Sequence, residues 1–229
     1  MAVKAYILDV AGLLGEREEE KERFRYLCSI LSEDRQQKIE RFRYAQGKAL
    51  SLGAGLLLDY GLRQYGIRER EARLVYGENE KPYLRDYPGI FFNLSHSGSM
   101  AMAVFADKEV GCDVEQIGNP DFRVARRFFA EGERKLLEKA EDKEARELFY
   151  RFWVLKESFL KVTGEGIRMP LNDFCICLEE KIRVEVKGQY QKYGFCELAL
   201  PGYRAALCLK GEEDVEVKMG RLFLENLFD

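Results

Sequence analysis

One histidine, one tryptophan and five prolines are all that the 229 residues hold of those three types. A lone His96 excludes a multi-histidine metal site within one subunit. With so little proline and no low-complexity tract, no Pro-rich linker separates domains. The longest nearly apolar stretch, Leu50 to Leu58, falls far short of the roughly 20 residues that a membrane helix needs. The first residues lack the basic start and long apolar run of a signal peptide, so a cytoplasmic protein without a membrane anchor is expected. None of the six cysteines (Cys28, Cys112, Cys175, Cys177, Cys196, Cys208) forms a Cys-x-x-Cys pair. Zinc and thioredoxin-type readings are therefore weak, and free thiols in a reducing cytosol fit best. Positive charge is not in excess either: 37 Lys and Arg against 40 Asp and Glu give a formal net charge of −3. That argues against a nucleic-acid binder living on bulk positive charge. A P-loop and a Gly-x-Ser-x-Gly elbow are also missing.

What remains is an ordinary globular composition. Hydrophobic residues make up 46% and aromatics 12%, enough for a buried core and too much for a disordered chain. At about 150 residues per domain, the length fits one large domain or two small ones. Alternation over 3–10 predicts a strand. Glu16 to Leu31 carries an apolar stripe and predicts a helix, and Ser32 is placed to cap a second one through Arg41. Ala45 to Tyr65, apolar and interrupted by glycine, predicts a buried helix. Strands are expected at 72–76, 90–95, 100–106 and 109–115. After Asn119-Pro120 the pattern predicts helices over 122–129, 131–140 and 143–163, the last ended by Gly164 and Gly166. Strands follow at 173–178, 182–187, 193–200 and 203–209, while 210–229 carries no readable motif. This order predicts an α+β fold of two halves, residues 1–111 and 112–229, with a ligand crevice at the seam.

Three clusters can carry chemistry. In Gly111-Cys112-Asp113-Val114-Glu115, strand geometry puts Asp113 and Glu115 on one face. Adjacent carboxylates repel, and burying them is costly. A divalent cation relieves the repulsion, and Mg²⁺ suits a site built from carboxylates, phosphates and water. Two acids facing solvent at a strand end are the plain alternative. In the long helix, Trp153, Glu157 and Lys161 stand at i, i+4 and i+8 on one face, beside a core stripe of Phe152, Leu155, Phe159 and Val162. A weak Glu–Lys surface pair beside a core tryptophan is the competing reading. Phe92-Asn93-Leu94-Ser95-His96-Ser97-Gly98 runs from a strand into a turn whose N–H groups, hydroxyls and imidazole can bind a phosphate. A Ser–His catalytic pair and a histidine capping a carbonyl also fit that segment. Arg35, Lys38 and Arg41 recur every third residue, Lys48 follows, and Lys81 lies in the turn Glu80-Lys81-Pro82-Tyr83.

Taken in order, the segments EKPYL (80–84), FNLSHSG (92–98), VGCDVEQI (110–117), RFF (127–129) and FWVLKESFLKVTGEGIRMPLNDF (152–174) resemble the 4′-phosphopantetheinyl transferase family. The branch is the larger, two-half one of the surfactin-synthetase-activator type. The core WxxKExxxK (Trp153, Lys156, Glu157, Lys161) is its most specific part, and the resemblance spans about residues 3 to 209.

That resemblance implies two similar α+β halves related by a pseudo-twofold, each an antiparallel sheet packed on a long helix, with the active site at their interface. It implies a metal site of Asp113, Glu115 and Glu157 for Mg²⁺, with Mn²⁺ as the alternative ion. Coenzyme A is the implied substrate. His96, with Ser95 beside it, falls at the 3′-phosphate, Lys161 at the diphosphate and Lys81 near the adenosine end. Arg35 and Lys38 fall where the family places cations for the same 3′-phosphate. Arg35 stands where relatives often carry lysine, which keeps the charge but alters its geometry. Lys48 is the candidate to replace a family arginine that has no direct match. The implied reaction moves the 4′-phosphopantetheine arm to a serine hydroxyl of an apo acyl or peptidyl carrier protein and releases 3′,5′-ADP. Such carriers serve fatty-acid, polyketide or nonribosomal-peptide synthesis. Glu157, directly or through a metal-bound water, is the candidate base and Lys161 the candidate for stabilising phosphoryl charge. The branch implies a monomer with no nucleic-acid or membrane partner. A binding-only relative and a different Mg²⁺-dependent nucleotide enzyme are the two competing classes.

Overall fold

Strand alternation sets the layering of this chain. The computed structural model describes residues 3–77, 79–211 and 214–227, the side chain of Ile167 excepted. The first half contains β1 (Val3–Asp9), α1 (Glu18–Ser29), α2 (Glu33–Glu40), α3 (Ala45–Arg63), β2 (Leu74–Tyr76), β3 (Pro82–Leu84), β4 (Phe91–Ser97) and β5 (Met100–Ala106), and β6 (Val110–Gln116) crosses from it into the second. The second contains α4 (Phe122–Phe128), α5 (Glu131–Lys139), α6 (Asp142–Thr163), β7 (Phe174–Leu178), β8 (Ile182–Val186), β9 (Gln189–Tyr190), β10 (Tyr193–Leu200), β11 (Tyr203–Lys210) and β12 (Val217–Leu222).

The main sheets run β12-β1-β5-β4 and β10-β11-β6, and β2-β3 and β7-β8-β9 form small satellites. On β5, Ala101, Ala103 and Phe105 pack with α3, while Met100, Met102 and Val104 face the other way. They meet Val110, Cys112 and Val114 of β6 and Ala205 and Leu207 of β11. The opposite face of β11, through Ala206 and Cys208, joins the core built around α6. The layers are therefore α3, sheet, sheet, α6, and period-two alternation assigns the buried residues of the main strands to three cores.

Two glycines make the second half fit together. A Cβ on Gly111 would collide with the Ser158 carbonyl oxygen and the Val162 backbone nitrogen, so glycine lets β6 lie directly on α6. Gly164 ends α6 with φ of 73°, the left-handed cap that glycine adopts without strain. Ser32 caps α2 as its sequence position implies, its hydroxyl accepting from Arg35 N at 3.3 Å.

The α+β, two-half architecture and its long helices match the expectation. The Lys81-Pro82 turn continues into a short strand, β3. Residues 217–222 form β12, which pairs parallel with β1 and so returns the C-terminal segment to the first half's sheet. Its sequence, VKMGRL, is charged and half exposed, and only the presence of β1 beside it gives its backbone partners. No helix among the described residues is long and apolar enough to cross a membrane.

Candidate active site

The two main sheets are stitched along β4 and β6 by side chains. Asn93 Oδ1, Ser95 Oγ and Ser97 Oγ accept the backbone N–H groups of Cys112, Val114 and Gln116 at 3.0, 3.3 and 3.2 Å. Small polar residues at i, i+2 and i+4 thus replace a strand–strand ladder. Gly111, Asp113 and Glu115 point to the opposite face of β6 from its core residues, and that face meets α6. There the register of β6 brings both acids to Trp153, Glu157 and Lys161, all of which line one cavity of about 420 Å³ with Arg35, Lys38, Ser51, Ser95 and His96.

The acidic wall is held by a dense set of bonds. Asp113, only 4% exposed, accepts from Lys161 Nζ at 2.7 Å and Ser95 Oγ at 2.8 Å, both on Oδ1. Lys161 Nζ also reaches Ser95 Oγ at 3.0 Å. Glu115 accepts from Ser97 Oγ at 2.5 Å and from the Trp153 indole N–H. The indole is braced in turn by Phe149, stacked at 6.1 Å. Burial pushes the Glu115 carboxyl up, and the charge of Asp113 adds to the shift. Burial likewise raises Glu157, with Asp113 and Glu115 both contributing. Burial alone would lower the Lys161 ammonium, but the Asp113 carboxylate holds it above its usual value.

The opposite wall is cationic. Arg35, buried on α2, lies 3.8 Å from the buried Glu69. Glu69 accepts from both the N–H and the hydroxyl of Ser32, so it also fixes the start of α2. Partial desolvation and the neighbouring Arg35 lower Lys38. His96 is exposed at the cavity mouth, yet the surrounding protein partly desolvates its ring and, with Lys161 and Lys38 close by, lowers its pKa below 6.5. Ser51 Oγ is buried here with no hydrogen-bond partner among the described residues.

The fold does not bring every sequence candidate to this cavity. Lys48, near the start of α3, lies outside its lining. Lys81 borders an adjoining hollow of about 270 Å³ that shares Glu157 and Lys161. Its ammonium, however, is committed to Glu109 and a helix carbonyl. Ser95 is present, but its hydroxyl is engaged with Asp113 and Lys161. Arg41 lines an outer groove with Lys38, Phe42 and Tyr76.

Ser51, and the bonds that Ser97 and Trp153 make to Glu115, are not legible in the sequence. Ser51 carried one faint signal, a hydroxyl within an apolar helical run. Ser97 and the Trp153 N–H act on Glu115 only because β4 and α6 flank β6. Lys156, part of the WxxKE motif, turns away from the cavity. It pairs with Glu133 at 2.7 Å, both side chains being 0% exposed.

The donor set suits a hard divalent cation in kind. Three carboxylates face one cavity, the charge of Asp113 raises the proton affinity of Glu115 and Glu157, and Asp113 Oδ2 is buried with no hydrogen-bond partner among the described residues. Among the described residues, no three His, Cys, Asp or Glu side chains are gathered closely enough to hold an ion as they stand. Closing them around one would require side-chain movement, with Lys161 meanwhile serving as the counter-charge of Asp113.

Residues 109–208 match the model of the 4′-phosphopantetheinyl transferase superfamily, and residues 17–108 match that of the 4′-phosphopantetheinyl transferase N-terminal domain. The 4′-phosphopantetheinyl transferase Sfp of Bacillus subtilis (strain 168) is 31% identical over 196 residues, covering 83% of this chain and 86% of the relative. The 4′-phosphopantetheinyl transferase ffp of Bacillus subtilis is 31% identical over 207 residues, covering 88% and 92%. The 4′-phosphopantetheinyl transferase psf-1 of Bacillus pumilus is 34% identical over 157 residues, covering 67% and 66%.

Proposed function

We infer that this chain, which belongs to the 4′-phosphopantetheinyl transferase superfamily, moves the 4′-phosphopantetheine arm of coenzyme A to a serine hydroxyl of an apo acyl or peptidyl carrier protein. The observation that carries this reading is the meeting, in one cavity, of three carboxylates (Asp113, Glu115, Glu157) and three cations (Arg35, Lys38, Lys161), with the His96 imidazole beside them. Coenzyme A carries a diphosphate and a further 3′-phosphate, and such a polyanion needs both a bridging cation and basic side chains.

Arg35, Lys38 and His96 bind the 3′-phosphate, and the unpartnered Ser51 hydroxyl donates to it. Lys161 turns its ammonium from Asp113 to the phosphoryl oxygens, where negative charge grows as the reaction proceeds. Asp113, Glu115 and Glu157 would hold Mg²⁺, or Mn²⁺ in its place. When bound, the ion supplies electrostatic stabilisation of the diphosphate oxygens. Glu157, with its carboxyl raised by burial, takes the proton of the carrier serine through whichever oxygen is left free of the ion, directly or by way of a water. The serine oxygen forms a bond to the phosphorus bearing the arm, and the bond from that phosphorus to the oxygen of 3′,5′-ADP breaks. Positioning both substrates in one crevice supplies much of the remaining acceleration.

The two halves divide near 111–112, a boundary supported by the meeting of the two family matches at 108–109. A cytoplasmic monomer fits the six free cysteines and the two-half design. The test is intact-mass measurement of an apo carrier protein incubated with this chain, coenzyme A and Mg²⁺. A gain of about 340 Da, the mass of the arm, is expected. Tight coenzyme A binding without that gain marks a binding-only protein instead.

A further inference from the structure

The Lys81 ammonium is spent inside the protein. The side chain is buried at the end of the turn between β2 and β3, 8% exposed, and donates to Glu109 Oε2 at 2.6 Å and to the Val162 carbonyl at 3.1 Å. Two residues earlier, Asn79 donates its side-chain amide to the Gly164 carbonyl. Val162 and Gly164 lie at the C-terminal end of α6, where carbonyls have no partner within the helix. A cation at that end also opposes the negative pole of the helix dipole. One short turn from the first half therefore satisfies two terminal carbonyls of the helix that carries the active-site side chains of the second.

The consequence falls on Lys161, the residue before Val162. Its long side chain spans from this last turn to Asp113 and Ser95. Any fraying of the turn moves its anchor. Lys81 is also confined from the other side: its Nζ lies 5.5 Å from the centre of the Tyr83 ring, and a Cβ added to Gly164 would meet its Cδ at 3.8 Å. To reach a ligand, Lys81 would have to abandon two bonded partners and leave Glu109 without its cation.

We propose that Asn79, Lys81 and Glu109 form a clamp on the C-terminus of α6, in which Lys81 is a positioning residue for Lys161 and not a ligand to the nucleotide. The clamp rests on the transferase reading only for its kinetic consequence. Its structural part is measured on the free protein.

The experiment uses the full chain and the variants Lys81→Met, Lys81→Arg and Glu109→Gln. Amide hydrogen exchange is followed by mass spectrometry over 158–166, the dissociation constant of coenzyme A by calorimetry, and turnover by carrier mass. Lys81→Met and Glu109→Gln are each expected to speed exchange of the last helical turn by about tenfold or more. Both should lower kcat while moving the coenzyme A dissociation constant by less than about threefold. Lys81→Arg should restore part of the protection. A nucleotide-binding Lys81 behaves in the opposite way, because Glu109→Gln would release its ammonium and tighten coenzyme A. Tighter binding in that variant overturns the clamp, as does unchanged exchange in Lys81→Met with a large loss of coenzyme A affinity. Should Lys81→Met fail to fold, Glu109→Gln and Lys81→Arg decide the matter. A wild-type chain without transferase activity would sink the functional reading and leave the exchange result standing.

Discussion

Lys161 Nζ stands 2.7 Å from Asp113 Oδ1, while Oδ2 of the same buried carboxylate has no hydrogen-bond partner among the described residues. One oxygen is committed to an internal cation and the other is available to a ligand. Asp113→Asn keeps the shape and removes the charge, so it should lower transfer by about 10²-fold or more. The melting temperature should drop only modestly, because Lys161 is part-exposed and can turn to water. Near wild-type transfer by the variant, measured by carrier mass at saturating Mg²⁺, would remove Asp113 from the site.

The acidic wall gives the free protein a pH signature. Glu115 and Glu157 both titrate above the ordinary 4.5, first because of burial and then because of neighbouring carboxylates. Such groups bind protons more tightly in the folded chain than in the unfolded one. Their contribution to stability is therefore present at low pH and lost as pH rises through the raised values. The melting temperature of the wild type, relative to a Glu115→Gln/Glu157→Gln variant, should fall as pH rises from 4.5 toward neutrality. Added Mg²⁺ should raise it again at neutral pH in the wild type alone. A difference that grows with pH in the absence of metal contradicts the assigned environment.

His96 tests the 3′-phosphate assignment. In His96→Ala, the KM for coenzyme A should rise about tenfold, whereas that for 3′-dephospho-coenzyme A should change less than about twofold. Equal effects on the two substrates assign the imidazole elsewhere.

The buried Glu133–Lys156 pair makes a separate prediction about stability. Lys156 Nζ also donates to the Phe174 carbonyl at 2.8 Å, and Glu133 accepts from Ile176 N and Ala130 N at 2.7 and 2.8 Å. Lys156→Met leaves a buried carboxylate without its cation and should cost about 3–5 kcal/mol in urea unfolding. Adding Glu133→Gln should recover part of that loss, since the second change removes the uncompensated charge. If the double variant is less stable than Lys156→Met, the pair is not what Lys156 supports.

Much of this site is written locally. A strand spacing of two suffices to place Asp113 and Glu115 together, and a helix spacing of four places Trp153, Glu157 and Lys161 together. Ser32 announces the start of α2, which carries Arg35 and Lys38. The pairings across elements are different in kind. Ser97 and the Trp153 indole hold Glu115, and Glu69 holds Arg35, through contacts between residues far apart in the chain. Lys48 and Lys81 show the limit from the other side. Each is a cation at a plausible sequence position, yet one lies outside the cavity lining and the other is consumed by Glu109 and α6.

The order of residues alone determined the α+β class, the long helices, the three acids and most of the basic side chains, because those follow from periodicity, capping and motif spacing within single elements. Tertiary structure decided the return of β12 to β1, the stitching of β4 to β6 and the partner of each charged group. Backbone edges and buried charges must be satisfied by whatever the fold brings within bonding distance, and that distance is set by packing between elements.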